Sequence, residues 1–114
     1  MLEIPSAIGY LRTDISRLRQ PWDEARIRSL ASRLGYDLRK TATFSPRTDR
    51  PIHRLRVLIS RLDVDAIIIP SLSHFDGVVP SELVQLVDVL TVDPFETYAR
   101  WAIPPDAPAD MGSR

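Results

Sequence analysis

DAIIIP, residues 65–70, contains three successive isoleucines and no polar side chain between Ala66 and Ile69. β-Branched side chains favour extended backbone, and an apolar run without alternation is typical of a strand that is covered on both faces. We therefore predict a central strand of a parallel sheet at this segment. The polar loop SLSHFDG, residues 71–77, follows it.

Three other segments are predicted to be strands. SAIGYLR, residues 6–12, is mostly apolar, and VLTV, residues 89–92, is short and rich in β-branched residues. Both compositions are typical of buried strands. YDLRKTATF, residues 36–44, alternates large and polar side chains, which predicts a strand nearer the edge of the sheet.

Apolar residues at helical spacing lie between these strands and predict two amphipathic helices. The first begins at Pro21 and ends at Gly35. Its predicted buried stripe is Trp22, Ile27, Leu30, Ala31 and Leu34. The second helix has its stripe at Ile52, Leu55, Ile59 and Leu62, with its arginines largely on the solvent side. A third helix is predicted over residues 79–87.

The segment DPFE, residues 93–96, has the pattern of a capping box, with Asp93 as the N-cap and Glu96 at the third helical position. It predicts a last short helix bearing Phe95, Tyr98 and Trp101. The proline-rich residues 104–114 contain little to bury, and we expect them to be disordered. The expected organisation is one α/β domain, residues 1–103, followed by this tail.

Strands that alternate with helices through short links imply a three-layer open sheet, mainly parallel, with helices on both faces. In such sheets the ligand crevice lies outside the carboxyl ends of the strands, near the switch in strand order. Six polar residues fall near these ends and are the candidate crevice residues: Arg12, Asp14, Ser73, His74, Asp76 and Asp93.

Composition limits the classes of protein and site. The absence of cysteine excludes disulfides, thiolate catalysis and cysteine-ligated metals. No apolar run approaches about 18 residues, and MLEIPS at the start lacks the pattern of a signal peptide, so we expect a cytoplasmic protein without membrane association. The sequence has no Gly-rich phosphate loop, Walker lysine or H-E-x-x-H motif, and we predict neither a cofactor nor a metal.

The net charge of zero conceals an asymmetry along the chain. Residues 1–62 contain 13 Lys and Arg against 6 Asp and Glu, whereas residues 63–114 contain 2 against 9. The two parts therefore carry +7 and −7. Solvated helix faces of different charge are the simplest explanation, and nonspecific nucleic-acid association through the arginine-rich part is a further hypothesis.

The succession of GYLRTDIS, a helix ending in LGYDL, TDRPIHRLRVLI and IIIPSLSHFDG resembles the N-terminal catalytic domain of serine recombinases, the resolvase and invertase family. Members of that family have Y-x-R-x-S after the first strand, G-Y at the end of a helix, R-P-x-x-x-x-L at the start of the second helix and L-D-R-L-G-R after the third strand. The resemblance covers roughly residues 6–90 and rests on order and spacing. It implies a resolvase-like sheet, related to the flavodoxin-like folds.

The chain departs from this family at the positions that the resemblance makes catalytic. Tyr10 and Arg12 match the Y-x-R positions, but Asp14 stands where the attacking serine would be. Phosphoryl transfer to serine needs a hydroxyl nucleophile and cations that stabilise the charge on the phosphate. Thr13 and Ser16 are neighbouring hydroxyls, but a shift along the chain moves the hydroxyl by several ångströms or to the opposite face.

The later motif departs further. Leu72 matches its leucine, whereas Ser73 replaces the aspartate, and His74 and Gly77 replace the two arginines. The resemblance therefore implies a degenerate member of the family, without catalytic residues and without recombinase activity.

Structural roles are the simplest explanation for the candidate residues. Arg12 and Asp14 have the same parity on an extended strand, so we expect their side chains to share a face and form an ion pair. His74 is expected to bond to a neighbour, and Asp93 to cap a helix. Ser71, Ser73 and Asp76 are residue types that commonly form turns, which is sufficient to explain their presence in this loop.

Two function hypotheses follow. The first is a catalytically inactive resolvase-like domain that acts as a protein-interaction or regulatory module and binds a protein partner or another copy of itself. Recombinases continue past this domain into a long helix and a separate DNA-binding domain. We expect neither in this sequence, so sequence-specific DNA binding is not expected here. The second is a small phosphate- or metal-binding enzyme or ligand-binding protein, in which Asp14, His74, Asp76 and Asp93 converge at the crevice.

Overall fold

The computed structural model describes residues 3–101. Its elements are, in chain order, β1 (Ser6–Arg12), α1 (Thr13–Ser16), α2 (Gln20–Leu34), β2 (Asp37–Phe44), α3 (Pro51–Leu62), β3 (Ala66–Ile69), α4 (Ser81–Val84), β4 (Asp88–Thr91) and β5 (Glu96–Tyr98). Short 3₁₀ turns at Arg17–Arg19 and Leu72–Phe75 follow α1 and β3. The predicted tail, residues 104–114, lies outside the described residues.

The strands form one sheet in the order β2-β1-β3-β4-β5. The first four strands of this order are parallel to one another, and β5 runs antiparallel to β4. β3 is central and all its residues are buried, as expected from a run of isoleucines without polar alternation. The predictions of an α/β domain, of a mainly parallel sheet and of β3 at its centre are confirmed.

Helices cover both faces of the sheet because the side chains of its central strands alternate between them. On one face, Ile27 of α2 packs in an apolar cluster with Ala7 and Ile68. On the other face, Leu55 of α3 packs in a second cluster with Ile8 and Ile67. Neighbouring residues of β1 and β3 therefore belong to opposite layers, and both faces of the sheet are removed from water.

Two glycines have specific roles in this packing. A Cβ atom at Gly9, on β1, would lie 2.8 Å from Cγ2 of Ile27 and 3.0 Å from Oγ1 of Thr41. Gly9 therefore leaves room for α2 against the sheet. Gly35 follows α2 with φ of +82°, and its N–H bonds the carbonyls of the last turn, which confirms the predicted end of this helix.

The predicted buried stripe of α2 is wrong at both ends. Trp22 is 60% exposed, and buried Asp23 takes its place against the domain. A residue turns by about 100° around a helix, so Trp22 lies about 140° away from Ile27, whereas Asp23 lies about 40° away. Leu34 is exposed because the helix ends there.

The prediction of a last helix is also wrong. After β4 the chain turns and returns as β5, with Val89 opposite Tyr98, so Asp93 is not a helix N-cap. The hydroxyl of Thr91 donates a hydrogen bond to the carbonyl of Pro94 and closes the turn. A strand here pairs the outer edge of β4, which a helix would leave open. The helix predicted over residues 79–87 is shorter than expected, Ser81–Val84.

Within residues 3–101, no helix combines the length and the apolar character needed to cross a membrane.

Candidate functional site

The candidate crevice lies where the strand order switches. β1 is followed in sequence by β2 on one side, and β3 lies on its other side, so the carboxyl ends of β1 and β3 flank the switch. Arg12 ends β1, and the loop after β3 contains Ser73, His74 and Asp76. Two cavities of about 440 and about 200 Å³ open at this end of the sheet.

Arg12 is bound by two carboxylates. Its Nη2 and Nε donate to the two oxygens of Asp14 at 2.7 and 3.2 Å, and its Nη1 donates to Oδ1 of Asp76 at 2.8 Å. The side chains of Arg12 and Asp14 are 22% and 29% exposed. The predicted ion pair is therefore confirmed, although Asp14 lies in the first turn of α1 and not on the face of β1.

Asp76 is a partner of Arg12 that the sequence did not predict. It follows the 3₁₀ turn Leu72–Phe75 in the left-handed region, with φ of +57°, a conformation that Asp tolerates better than most residues. Its carboxylate reaches Arg12 across 64 positions of sequence. One guanidinium and two carboxylates give the cluster a formal charge of −1.

These contacts shift the pKa values of the charged groups in opposite directions. Hydrogen bonds from Arg12 hold the pKa of the Asp14 carboxyl below its ordinary value. Hydrogen bonds to Asp14 and Asp76 raise the pKa of Arg12. Burial, with a smaller contribution from Asp14 and Asp76, raises the pKa of the neighbouring Tyr10 to about 12. Tyr10 is therefore a neutral hydroxyl at physiological pH.

His74 links the loop after β3 to the end of β1. Its side chain is 3% exposed, and its Nδ1 accepts a hydrogen bond from the backbone N–H of Arg12 at 2.9 Å. An accepting Nδ1 places the proton of the neutral ring on Nε2. Burial lowers the pKa of His74, which keeps the ring neutral at physiological pH. The expected bond to a neighbour is confirmed, and the neighbour lies on the adjacent strand.

Asp93 and Asp76 line different cavities. Ser73 and Asp93 line the smaller cavity, whereas Asp76 lines the larger cavity and His74 lines both. Ser73 is hydrogen-bonded to the hydroxyl of Ser71 at 2.6 Å. Asp93 faces Arg26, with 3.9 Å between Oδ2 and Nη1.

The four side chains proposed to converge in the second hypothesis are not all brought together. Asp14 and Asp76 bind Arg12, and Asp93 lines a different cavity. In the part of the chain that the structure describes, no group of three or more His, Asp or Glu side chains is placed to hold a metal ion. The predicted convergence is therefore wrong for Asp93, whereas Asp14, His74 and Asp76 meet around Arg12.

The larger cavity has an aromatic wall. The ring of Tyr10 stacks on Phe75 with 4.9 Å between centroids and meets the edge of Phe44 at 5.3 Å. All three rings line the cavity together with Arg12. Its volume, about 440 Å³, falls within the range of small-molecule sites.

A third cavity, of about 560 Å³, lies between the edge strand β2 and helix α3. This groove is not among the predicted sites, and the arginines of α3 are predicted to lie largely on the solvent side. Arg54 and Arg61 line this groove from α3, and Lys40 lines it from β2. The signal that points to it is the recurrence of arginines at helical spacing beside a predicted edge strand.

Comparisons of the chain with protein-family models, with curated proteins and with solved structures found no match.

Proposed function

We propose that this chain is a catalytically inactive resolvase-like domain that acts as a protein-interaction or regulatory module. The proposal rests on one observation, the pairing of Arg12 with both Asp14 and Asp76. Asp14 stands at the position that the resemblance assigns to the serine nucleophile. Its carboxylate binds the same guanidinium that phosphoryl transfer would require.

The charge of the crevice opposes phosphate binding. Phosphoryl transfer is accelerated mainly by positioning and by cations directed at the oxygens of the phosphate. Among residues 3–101, Arg12 is the one Lys or Arg side chain that lines the larger of the two crevice cavities. It would have to release both carboxylates before it could bind a phosphodiester, which would itself meet a cluster of formal charge −1.

The neighbouring hydroxyl of Ser16 is committed to a structural contact. Ser16 is buried, and its Oγ donates a hydrogen bond at 2.6 Å to Oδ2 of the buried carboxylate of Asp23. An attacking hydroxyl must instead lie close to the phosphorus with its lone pair aligned. This contact supports a domain without a replacement nucleophile.

The test is incubation of the chain with supercoiled DNA, followed by denaturation to trap covalent protein–DNA adducts, with an active serine recombinase as positive control. Neither strand cleavage nor an adduct is expected. The Asp14→Ser variant should also be inactive, because His74 and Gly77 stand at the positions of the two later arginines. An adduct mapped to Thr13 or Ser16 would contradict the proposal.

A second candidate is a ligand-binding protein that uses the crevice. It is favoured by the aromatic wall of the larger of the two crevice cavities. Tyr10, Phe44 and Phe75 line a volume of about 440 Å³. Such a wall suits a planar ligand better than a bare phosphate. A panel of planar aromatic fragments, observed by NMR, separates the candidates. Saturable shifts at His74 and Phe75 would favour ligand binding, and their absence across the panel would favour the interaction module.

A further inference from the structure

We infer that the groove between β2 and α3 binds an acidic, extended segment of a partner protein, which joins the sheet as an additional strand beside β2. The inference rests on the proposed function and deepens it, because it names the surface and the chemistry of the partner. Main-chain hydrogen bonds to an open sheet edge are a recurring mode of peptide recognition.

The groove runs along the free edge of β2. Five successive residues of this strand, residues 40–44, line it. Because successive side chains of a strand point to opposite faces, a cavity that contacts all five lies beside the backbone. β2 pairs with β1 on one side, and within residues 3–101 no strand pairs with its other side. The backbone groups of this edge are therefore open to a partner strand.

Helix α3 forms the opposite wall with one face. The residues that it contributes, with the one that precedes it, are Arg50, His53, Arg54, Val57, Leu58 and Arg61. Their spacing is that of a single helical face, and it extends over about 16 Å at 1.5 Å per residue. Five residues of an extended strand also span about 16 Å. The groove therefore matches an extended segment of about five residues.

The positive charge of the groove is not neutralised within the domain. Lys40, Arg50, Arg54 and Arg61 line it, against one carboxylate, Asp49. Arg50 lies 3.9 Å from that carboxylate, and Nε of Arg54 donates to the backbone oxygen of Asp49. Lys40 and Arg61 form no ion pair with the described residues. A partner of negative charge is the complement of this surface.

The apolar part of the groove favours a peptide over a nucleic acid. Ala42, Val57 and Leu58 contribute aliphatic surface between the cations. Sites for single-stranded nucleic acid stack bases on aromatic rings. In the described chain, Phe44 is the one Phe, Tyr or Trp that lines the groove, and its ring packs against Tyr10. A segment that alternates acidic and aliphatic side chains fits both features.

The positive charge of the groove disfavours pairing of its β2 edge with the β2 edge of a second copy of this chain. Pairing two β2 edges would bring Lys40, Arg54 and Arg61 of each copy towards the other basic groove. Like charges that face each other across strands are destabilising. The partner is therefore an acidic segment and not this edge of another copy.

The test is an NMR titration of the full ¹⁵N-labelled chain with the heptapeptide EVEVEVE, with KVKVKVK and a heptamer of oligouridylate as comparison probes. We expect the amides of residues 40–44 to shift and to exchange more slowly with solvent when EVEVEVE is added. Arg54→Glu/Arg61→Glu should weaken binding at least about tenfold. Arg28→Glu/Arg33→Glu, on the exposed face of α2, makes the same charge change away from the groove and should bind as the wild type does.

Strand addition has a signature that a merely electrostatic contact lacks. In a β-strand, the N–H groups of alternate residues point to the same neighbouring strand, so only one of the two alternate sets can bond to β2. N-methylation of one alternate set in EVEVEVE should abolish binding, and N-methylation of the other set should preserve it. Equal binding of both methylated peptides, shifts outside the groove, absence of binding at millimolar peptide, or tighter binding of oligouridylate would each overturn the inference. None of these four results contradicts the proposed function. That function would be contradicted by DNA cleavage or a covalent protein–DNA adduct.

Discussion

Two arginine-bearing regions of this domain differ in what their positive charge meets. In the crevice at the carboxyl ends of β1 and β3, Arg12 is bound by Asp14 and Asp76. In the groove between β2 and α3, Arg54 and Arg61 have no carboxylate partner within residues 3–101. An internally bound cation orders a loop, whereas an unbound one is available to a partner. The difference supports the proposal that recognition uses the sheet edge rather than the strand-order switch.

The largest effect is expected from the core that both regions share. Ile67, on β3, is fully buried, and Ile67→Ala should lower the free energy of unfolding by about 2–5 kcal/mol because it leaves a cavity. Val57→Ala, on the exposed side of α3, should change it by less than about 0.5 kcal/mol. Urea unfolding followed separately at His74 and at residues 40–44 should give one midpoint. Two midpoints would show that the regions are separate cooperative units.

A pair of glycine substitutions should perturb the two regions separately. Gly9→Ala would place a Cβ 2.8 Å from Ile27 and 3.0 Å from Thr41 of β2, and we expect a cost of about 1–3 kcal/mol. Gly77→Ala, in the crevice loop, meets no atom within 4 Å but has φ of +88°, and the strain should cost about 1 kcal/mol. Amide shifts should centre on α2 and β2 for the first and on the crevice for the second. The same pattern for both would contradict this division.

The pH dependence of stability should report the crevice alone. Burial lowers the pKa of His74 from its ordinary value of 6.5, so the unfolded chain binds this proton more readily than the folded one. The stability due to neutral His74 is complete above pH 6.5 and declines as the pH falls below that value, because the unfolded chain takes up a proton that burial keeps off the folded ring. His74→Gln should flatten this decline in thermal melts. If His74→Gln melts with the wild-type slope, or His53→Gln in the groove also flattens it, another group is responsible.

The smallest effect is expected from the ion pair itself. Asp14→Ser should lower the melting temperature by a few degrees at most, because solvent screens the pair and Asp76 still binds Arg12. In a double-mutant cycle, Arg12→Ala and Asp14→Ser should be non-additive, and added salt should reduce the coupling. Additive changes would mean that the pair contributes nothing to stability. Asp14 would then be a candidate for ligand binding.

The elements that could be predicted from sequence are those determined by local pattern. The isoleucines of β3 do not alternate with polar residues, so their sequence favours a strand that is buried on both faces. The segment at Asp93 has an equally clear local pattern for a helix start, yet the open edge of β4 makes a returning strand more favourable. A pattern within four residues contains no information about that distant edge.

The site shows the same division. Arg12 and Asp14 are two positions apart, and their contact follows from proximity in the chain. The contacts of Arg12 with Asp76 and His74 span 64 and 62 positions and depend on β1 and β3 being neighbours. The groove requires two further facts, the edge position of β2 and the rotation of α3 about its axis. Neither follows from the spacing of apolar residues alone.

The availability of charge in the two regions can be compared in one titration of the ¹⁵N-labelled chain with inorganic phosphate, in which the Nε–Hε signals of the arginines are followed. We predict that the signals of Arg54 and Arg61 shift and that the signal of Arg12 does not. In the Asp14→Asn/Asp76→Asn variant the Arg12 signal should shift as well, whereas Asp37→Asn, which removes the partner of Arg39, should leave it unchanged. A wild-type Arg12 that responds to phosphate while Arg54 and Arg61 stay silent would contradict the account.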